Sequence, residues 1–283
     1  MGLIRSNPIV RFEMRRRFSG FAAAAGIGIA IGIPGLAVVV AYALTVRGND
    51  QFNGIDSFNN TGVILLTTVV VALTGTLVLF VPALAGGSIA SERANQTLQP
   101  LQLTLLRPAQ IVVGKLIASS AYLMVVIACA LPVIAIPYLL GGVPVRTVIT
   151  CLIVLAAIAI ELAAVSVWVS SWFTKPVGAI VTALAMSLAL CLGPWIVAGL
   201  TLVSQVTVAA AESPPPFDEN AARLLAATSP TALFGFVDLG DIADDDPAGS
   251  SGRLVAAACW LGVTTLCIRG ASKRVVAPAE RDR

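Results

Sequence analysis

Residues 62–110 read GVILLTTVVVALTGTLVLFVPALAGGSIASERANQTLQPLQLTLLRPAQ. The first part, Gly62 to Ala90, is apolar and uncharged; the second, Ser91 to Gln110, is polar and partly charged. A bilayer core about 30 Å thick takes roughly 20 apolar residues per helical crossing, so the first part is long enough to span it. Its apolar residues do not alternate with polar ones, as a transmembrane β-strand requires. Hydrocarbon offers no partner to a backbone N–H or C=O, so the segment must be a helix that satisfies its own backbone.

The rest of the chain repeats this pattern. Of 283 residues, 57% are hydrophobic and 12% charged. Mean hydropathy is +0.91, far from the balance of a soluble domain. The expected fold is all-α, a polytopic membrane protein forming one domain over residues 20–283. Six transmembrane helices are predicted near residues 20–46, 62–90, 111–140, 147–170, 177–211 and 254–271. Pro34-Gly35 predicts a kink in the first. The fifth would measure ~52 Å as a single helix, so it must break or protrude, and Gly193-Pro194 is the expected break.

Between the spans, residues 47–61 read as a polar loop with turns at Asn53-Gly54 and Asn59-Asn60. A tight turn from Gly141 makes spans three and four antiparallel neighbours. Residues 212–253 form the longest polar stretch, within which ARLLAATSPTALFGFV is apolar enough to read as a short helical pair dipping back toward the membrane. Residues 1–19 hold Arg5, Arg11, Arg15, Arg16 and Arg17 interleaved with apolar residues and read as an interfacial amphipathic helix; the plainer alternative is a basic topogenic flank. Ala41-Tyr42-Ala43 resembles a signal-peptidase site, but the preceding apolar run far exceeds the usual core of about 7–15 residues, so the segment is expected to stay as a span.

With the N-terminus in the cytoplasm, fourteen Lys and Arg fall on inside segments and four, Arg47, Arg146, Arg223 and Arg253, fall outside. That excess predicts both termini cytoplasmic, residues 91–110 as a cytoplasmic segment and 212–253 as an extracytoplasmic loop. Ala- and Val-rich usage points to the plasma membrane of a bacterium.

Several functions are excluded. Without a single histidine, His-based metal sites, Ser-His and Cys-His catalysis and histidine relays are absent. Five cysteines lie within apolar runs at unpaired spacings, so no metal site or disulfide framework is expected and they read as packing residues. A net charge of +3 is too small to imply nucleic acid. No phosphate-binding loop occurs, and Gly26, Gly28 and Gly32 miss the dinucleotide spacing, with Gly28 and Gly32 reading as a small-residue packing pair. The chain is not expected to be an enzyme or to carry a cofactor.

Residues 91–110 are more than a reversal needs, and helix formers precede the break at Arg107-Pro108, so the segment has the makings of a docking surface. Here the sequence resembles the permease subunits of type-2 ATP-binding-cassette exporters. Pro82, Ala83, Ile89, Glu92-Arg93, Thr97-Leu98, Thr104, Leu106, Pro108, Ile111, Gly114 and Lys115 occur in that family's order, with departures at Leu105, Asn95 and Pro100. The NPIVRFEMRRR start also resembles the family's elbow helix, and the six-span layout matches throughout.

The resemblance implies that residues 91–110 form a coupling helix seated in a separate cytoplasmic nucleotide-binding ATPase subunit, which would hold ATP and Mg. Glu92, Arg93, Gln96, Leu98 and Leu101 are the contact candidates. It further implies a second permease copy, or a homologous permease, and a substrate pathway lined by spans two and five. Carried to this chain, the candidates are Thr67 and Thr74 on span two with Thr182, Met186 and Gly193 on span five, a weakly polar lining suited to a hydrophobic or amphipathic cargo. Glu161 is the one acidic residue deep in a span. It belongs either to the pathway or to a bond with a neighbouring helix, with Val165, Trp168 and Trp172 continuing its face. An ion-coupled secondary transporter would need more intramembrane charge and internal repeats; a non-transporting regulator of an ATPase is the other alternative.

Overall fold

The computed structural model describes residues 21–48, 55–96, 108–140, 143–209, 229–236 and 249–275. The predicted interfacial helix at 1–19, Leu98 and Leu101, the Asn53-Gly54 turn and most of 212–253 lie outside the described residues. The elements are α1 (Phe21–Gly48), α2 (Ile55–Ala85), α3 (Ser88–Ala94), α4 (Pro108–Cys129), α5 (Leu131–Leu140), α6 (Val145–Ser170), α7 (Pro176–Ala209), a 3₁₀ helix (Pro230–Phe236) and α8 (Gly249–Arg274). Among the described residues there is no strand.

Six helical stretches are long and apolar enough to cross a membrane: Gly26–Leu44, Gly62–Ala94, Ala109–Leu139, Val145–Ser170, Pro176–Val197 and Leu254–Arg274. The protein is a multi-pass membrane protein. At the centre is α6, which packs against α2, α4, α7 and α8. Its residues Leu155, Ile158, Ala159, Leu162 and Ala163 are fully buried, and small alanines there let neighbours approach closely. Trp260 on α8 donates its indole N–H to the Ala157 carbonyl of α6 at 2.8 Å. By contrast α1 leaves Ile29, Ile33, Leu36, Val39 and Val40 exposed, as a helix facing lipid does.

Local structure departs from the sequence reading at four places. Asn59-Asn60 is no turn but lies inside α2; asparagine costs a helix less than about 0.7 kcal/mol relative to alanine, too little to end one that continues into a span. Span two does not run unbroken to Ala90, because α2 ends at Ala85 and a turn at Gly86-Gly87 starts α3. A Cβ on Gly86 would stand 3.0 Å from the Ala183 Cβ and 3.2 Å from the Ile180 Cα, so glycine here lets α2 close against α7. Span three divides at Ala130 into α4 and α5. Pro132, lacking an N–H, interrupts the ladder, and the Ala130 N–H is shared by the Val126 and Ile127 carbonyls at 3.1 Å each. Finally, α7 runs through Pro194 without the expected break; one lost hydrogen bond is absorbed and the helix protrudes instead, at ~51 Å against a core of about 30 Å. Pro34 likewise sits within α1.

Candidate functional site

A cavity of about 500 Å³ lies between α2 and α7. Leu66, Thr67, Val70, Val71, Thr74, Gly75, Val78 and Leu79 line it from α2, Leu188, Cys191 and Leu192 from α7, Cys151 from α6, and Thr231 and Phe234 from the 3₁₀ helix. The α2 residues recur at helical spacing, which puts them on one face. Val71, Leu79 and Leu192 are exposed, so the cavity opens on the flank of the bundle. Its size is that of an ordinary small-molecule pocket.

The walls carry three hydroxyls, all already engaged. Thr67 donates to the Val63 carbonyl at 2.9 Å and Thr74 to the Val70 carbonyl at 2.7 Å. Such back-bonding makes threonine present its methyl outward. Thr231 accepts from the Trp195 indole N–H at 2.7 Å and shares a hydrogen bond with Ser229 at 2.6 Å. Ser229 also donates to the Cys191 carbonyl at 3.1 Å, in the turn that Pro194 disturbs. These bonds fasten the 3₁₀ helix to α7 at one end of the cavity. Cys191 stands ~22 Å along α7 from Pro176, inside the apolar stretch Pro176–Val197, and the 3₁₀ helix packs beside it there. A shallower groove between α1 and α2 shares Thr67 and Val71 with the cavity.

At the end of the bundle where α2 gives way to α3, a second constellation holds α3 to three other helices. Ser170, at the end of α6, accepts from the backbone N–H of Ile89 at 3.0 Å and of Ala90 at 3.1 Å, satisfying first-turn donors that have no partner within α3. Lys115 of α4 is fully buried, 0% exposed, and its ammonium donates to Glu92 Oε1 at 2.7 Å and to the Ser88 carbonyl at 3.1 Å. Arg93 donates to the carbonyls of Ser171 at 3.2 Å and Phe173 at 3.4 Å, in the joint between α6 and α7. Gln96 closes α3 in a left-handed conformation, φ 57°. The joint is tied in turn to α8: Trp172 meets Trp168 edge-on at 4.7 Å, and the Arg274 guanidinium lies 4.6 Å over the Trp172 ring. Gly270 permits this, since a Cβ there would collide with Trp168.

Comparison with protein families gives a match to the ABC-2 family transporter proteins over residues 27–267, most of the chain. The chain belongs to the ABC-2 family. A search of curated proteins returned no match. Membership makes the chain a membrane permease component of an ABC transporter, which is not itself catalytic, and implies an ATPase partner and a lipid bilayer.

In this ABC-2 permease the residues singled out from sequence fall in separate places. Thr67 and Thr74 line the cavity together. Thr182, Met186 and Gly193 are not among its lining residues; Thr182 and Met186 lie on an exposed face of α7. Glu161 does not line it either, and is 2% exposed within α6. Glu92 and Arg93 turn inward to their own chain, as described. The sequence reading did not single out Ser170, Ser229, Thr231, or Cys151 and Cys191 as cavity walls. Lys115 carried a signal: a lysine inside an apolar run is rarely buried unless paired, which predicts an acidic partner nearby. The serine and threonine contacts are long-range and leave no mark in local spacing.

Proposed function

We propose that this permease is the transmembrane subunit of an ATP-driven exporter. It forms the substrate pathway as a dimer, with a second copy or a homologous permease, and a separate nucleotide-binding subunit holding ATP and Mg drives it. The cargo is a hydrophobic or amphipathic compound, such as a drug, lipid or peptide. The observation that carries this reading is the flank cavity between α2 and α7, whose few hydroxyls are committed to the protein itself. Such walls favour hydrocarbon, at about 0.8 kcal/mol per buried methylene, and leave only a few hydroxyl lone pairs, too few to clothe a sugar or naked ion.

The arrangement around α3 supports coupling. The resemblance assigns residues 91–110 to the ATPase cleft, and α3 carries the first of them, Glu92 and Arg93 included. Because α3 is bonded to α4, α6 and the joint before α7, a push on it acts on three spans at once, two of which, α6 and α7, line the cavity. Purification of the tagged protein from its native host tests the proposal. An ATPase subunit should co-purify, and in proteoliposomes its activity should rise with some members of a panel of hydrophobic compounds. Val70→Trp, which fills the cavity, should abolish that rise. Retention of no ATPase, or stimulation indifferent to Val70→Trp, would overturn the reading.

A further inference from the structure

Among the described residues, cations gather at the end of the bundle where α3 meets the α6–α7 joint. Two are committed inside the protein: Lys115 to Glu92 and the Ser88 carbonyl, and Arg93 to the Ser171 and Phe173 carbonyls. Four others, Lys175 in the joint and Arg269, Lys273 and Arg274 at the end of α8, are exposed. Among the described residues, their side chains meet no carboxylate and donate no hydrogen bond.

Topology alone would be served by basic residues anywhere in the flanking segments. Here the fold draws them to one corner. α8 runs alongside α6, with Trp260 bonded to Ala157 and Gly270 set against Trp168, and so ends over the joint, where the Arg274 guanidinium lies 4.6 Å over the Trp172 ring. Lys175 follows Trp172 by three residues, and Lys273 adjoins Arg274. Stacking uses the face of the guanidinium and leaves its N–H edge, the part that forks onto a phosphate, without a partner.

The height of these groups decides what they meet. On α7 the exposed Val177 comes two residues after Lys175, and Val181 one turn later. On α8, Leu261, Thr265, Arg269 and Lys273 recur every four residues on one exposed row. Arg269 stands ~4 Å and Lys273 ~10 Å beyond the exposed Leu266. Acyl chains cover those apolar residues, and the headgroup layer beyond them is about 5–7 Å deep, within reach of long basic side chains. Trp172, 45% exposed, is a residue type enriched at that level. A soluble subunit docks beyond the headgroups and leaves Val177 and Leu266 uncovered.

We infer that Lys175, Lys273 and Arg274, set around Trp172, bind the headgroup phosphate of an anionic phospholipid whose chains lie on the apolar flank beside them. A zwitterionic headgroup brings its own cation and leaves the cluster uncompensated; an anionic one does not. On the topology predicted from the Lys and Arg distribution this is the cytoplasmic leaflet, which carries anionic lipid. The bound lipid pins to the membrane plane the same joint that α3 holds through Arg93. The site rests on neither the flank cavity nor its proposed cargo.

Lipid retention tests this on the full-length protein. It is equilibrated in mild detergent with equal phosphatidylcholine and phosphatidylglycerol and washed on affinity resin, and the bound lipid is extracted and counted by mass spectrometry. The wild type should keep phosphatidylglycerol about tenfold over phosphatidylcholine, since each cation near the surface contributes roughly fivefold. Lys175→Gln with Lys273→Gln, which leaves the Arg274–Trp172 stack in place, should bring the two lipids near parity. Arg146→Gln, at the far end of α6, should leave the preference within about twofold of wild type. Equal retention by the wild type overturns the inference. So does a preference unchanged in the double variant, and if that variant also ceases to co-purify with an ATPase subunit, the cluster is a protein-docking surface instead. Lipid lost to a phosphate wash but not to sulfate of equal ionic strength would make the ligand free phosphate, and overturns it as well.

Discussion

Lys115→Met is the most exposing change that can be made at the α3 end of the bundle. The lysine is 0% exposed and Glu92 21% exposed, so the pair lies between two regimes. Exposed ion pairs contribute about 0–1 kcal/mol, whereas removing one member of a fully buried pair costs about 3–5 kcal/mol because a charge is left stranded. With one partner wholly buried and the other partly wet, and with the Ser88 carbonyl also losing a donor, the cost should be about 2–3 kcal/mol. At about 2–4 °C per kcal/mol for a chain of this order of size, the unfolding midpoint should fall by about 5–10 °C. Intrinsic tryptophan fluorescence during heating in detergent measures it, since Trp168 and Trp172 sit in the same constellation. Combining Lys115→Met with Glu92→Gln should recover more than half of the loss, because the stranded charge is gone. A midpoint within about 1 °C of wild type for the single variant, or a double variant no better than the single, would refute the reasoning.

Three other substitutions probe separate contacts. Ser170→Ala leaves the Ile89 and Ala90 N–H groups without an acceptor, and should cost about 1–3 kcal/mol in the same melting assay. Gly270→Ala drives a methyl into Trp168 and should cost about 1–3 kcal/mol, most of it relieved in a Trp168→Leu background. Trp260→Phe removes the bond to the Ala157 carbonyl while keeping an aromatic ring, for a smaller loss of about 0.5–1.5 kcal/mol by the same measurement.

The six crossings were legible because length and apolarity are all that a crossing demands. The breaks within them were less so. Pro132 divides a helix and Pro194 does not, although each removes one backbone donor. Ser229 and Thr231, from far along the chain, bond the Cys191 carbonyl and the Trp195 indole, but neither replaces the donor that the Leu190 carbonyl loses to Pro194. The cavity was half legible. Thr67 and Thr74 share a face at seven-residue spacing and do line it, but periodicity gives the faces of α7 without saying which one meets α2. That is set by the contact of Gly86 with Ala183, and it turns Leu188 and Cys191 inward in place of Thr182 and Met186. Glu92 and Arg93 read as free contacts because their partners, Lys115 and the Ser171 and Phe173 carbonyls, are 23 to 80 residues away.

On the proposed reading, with the Thr67 and Thr74 protons turned back to their own helix, an occupant of the cavity would be judged chiefly by girth and greasiness. A compound could trade one alkyl branch for another of equal volume and be held as before, yet lose its place on gaining one ring too many. Selection of this kind is broad in chemistry and narrow in shape, so resistance to an unwanted guest would arise more readily from one bulky side chain on α2 than from any new hydrogen bond.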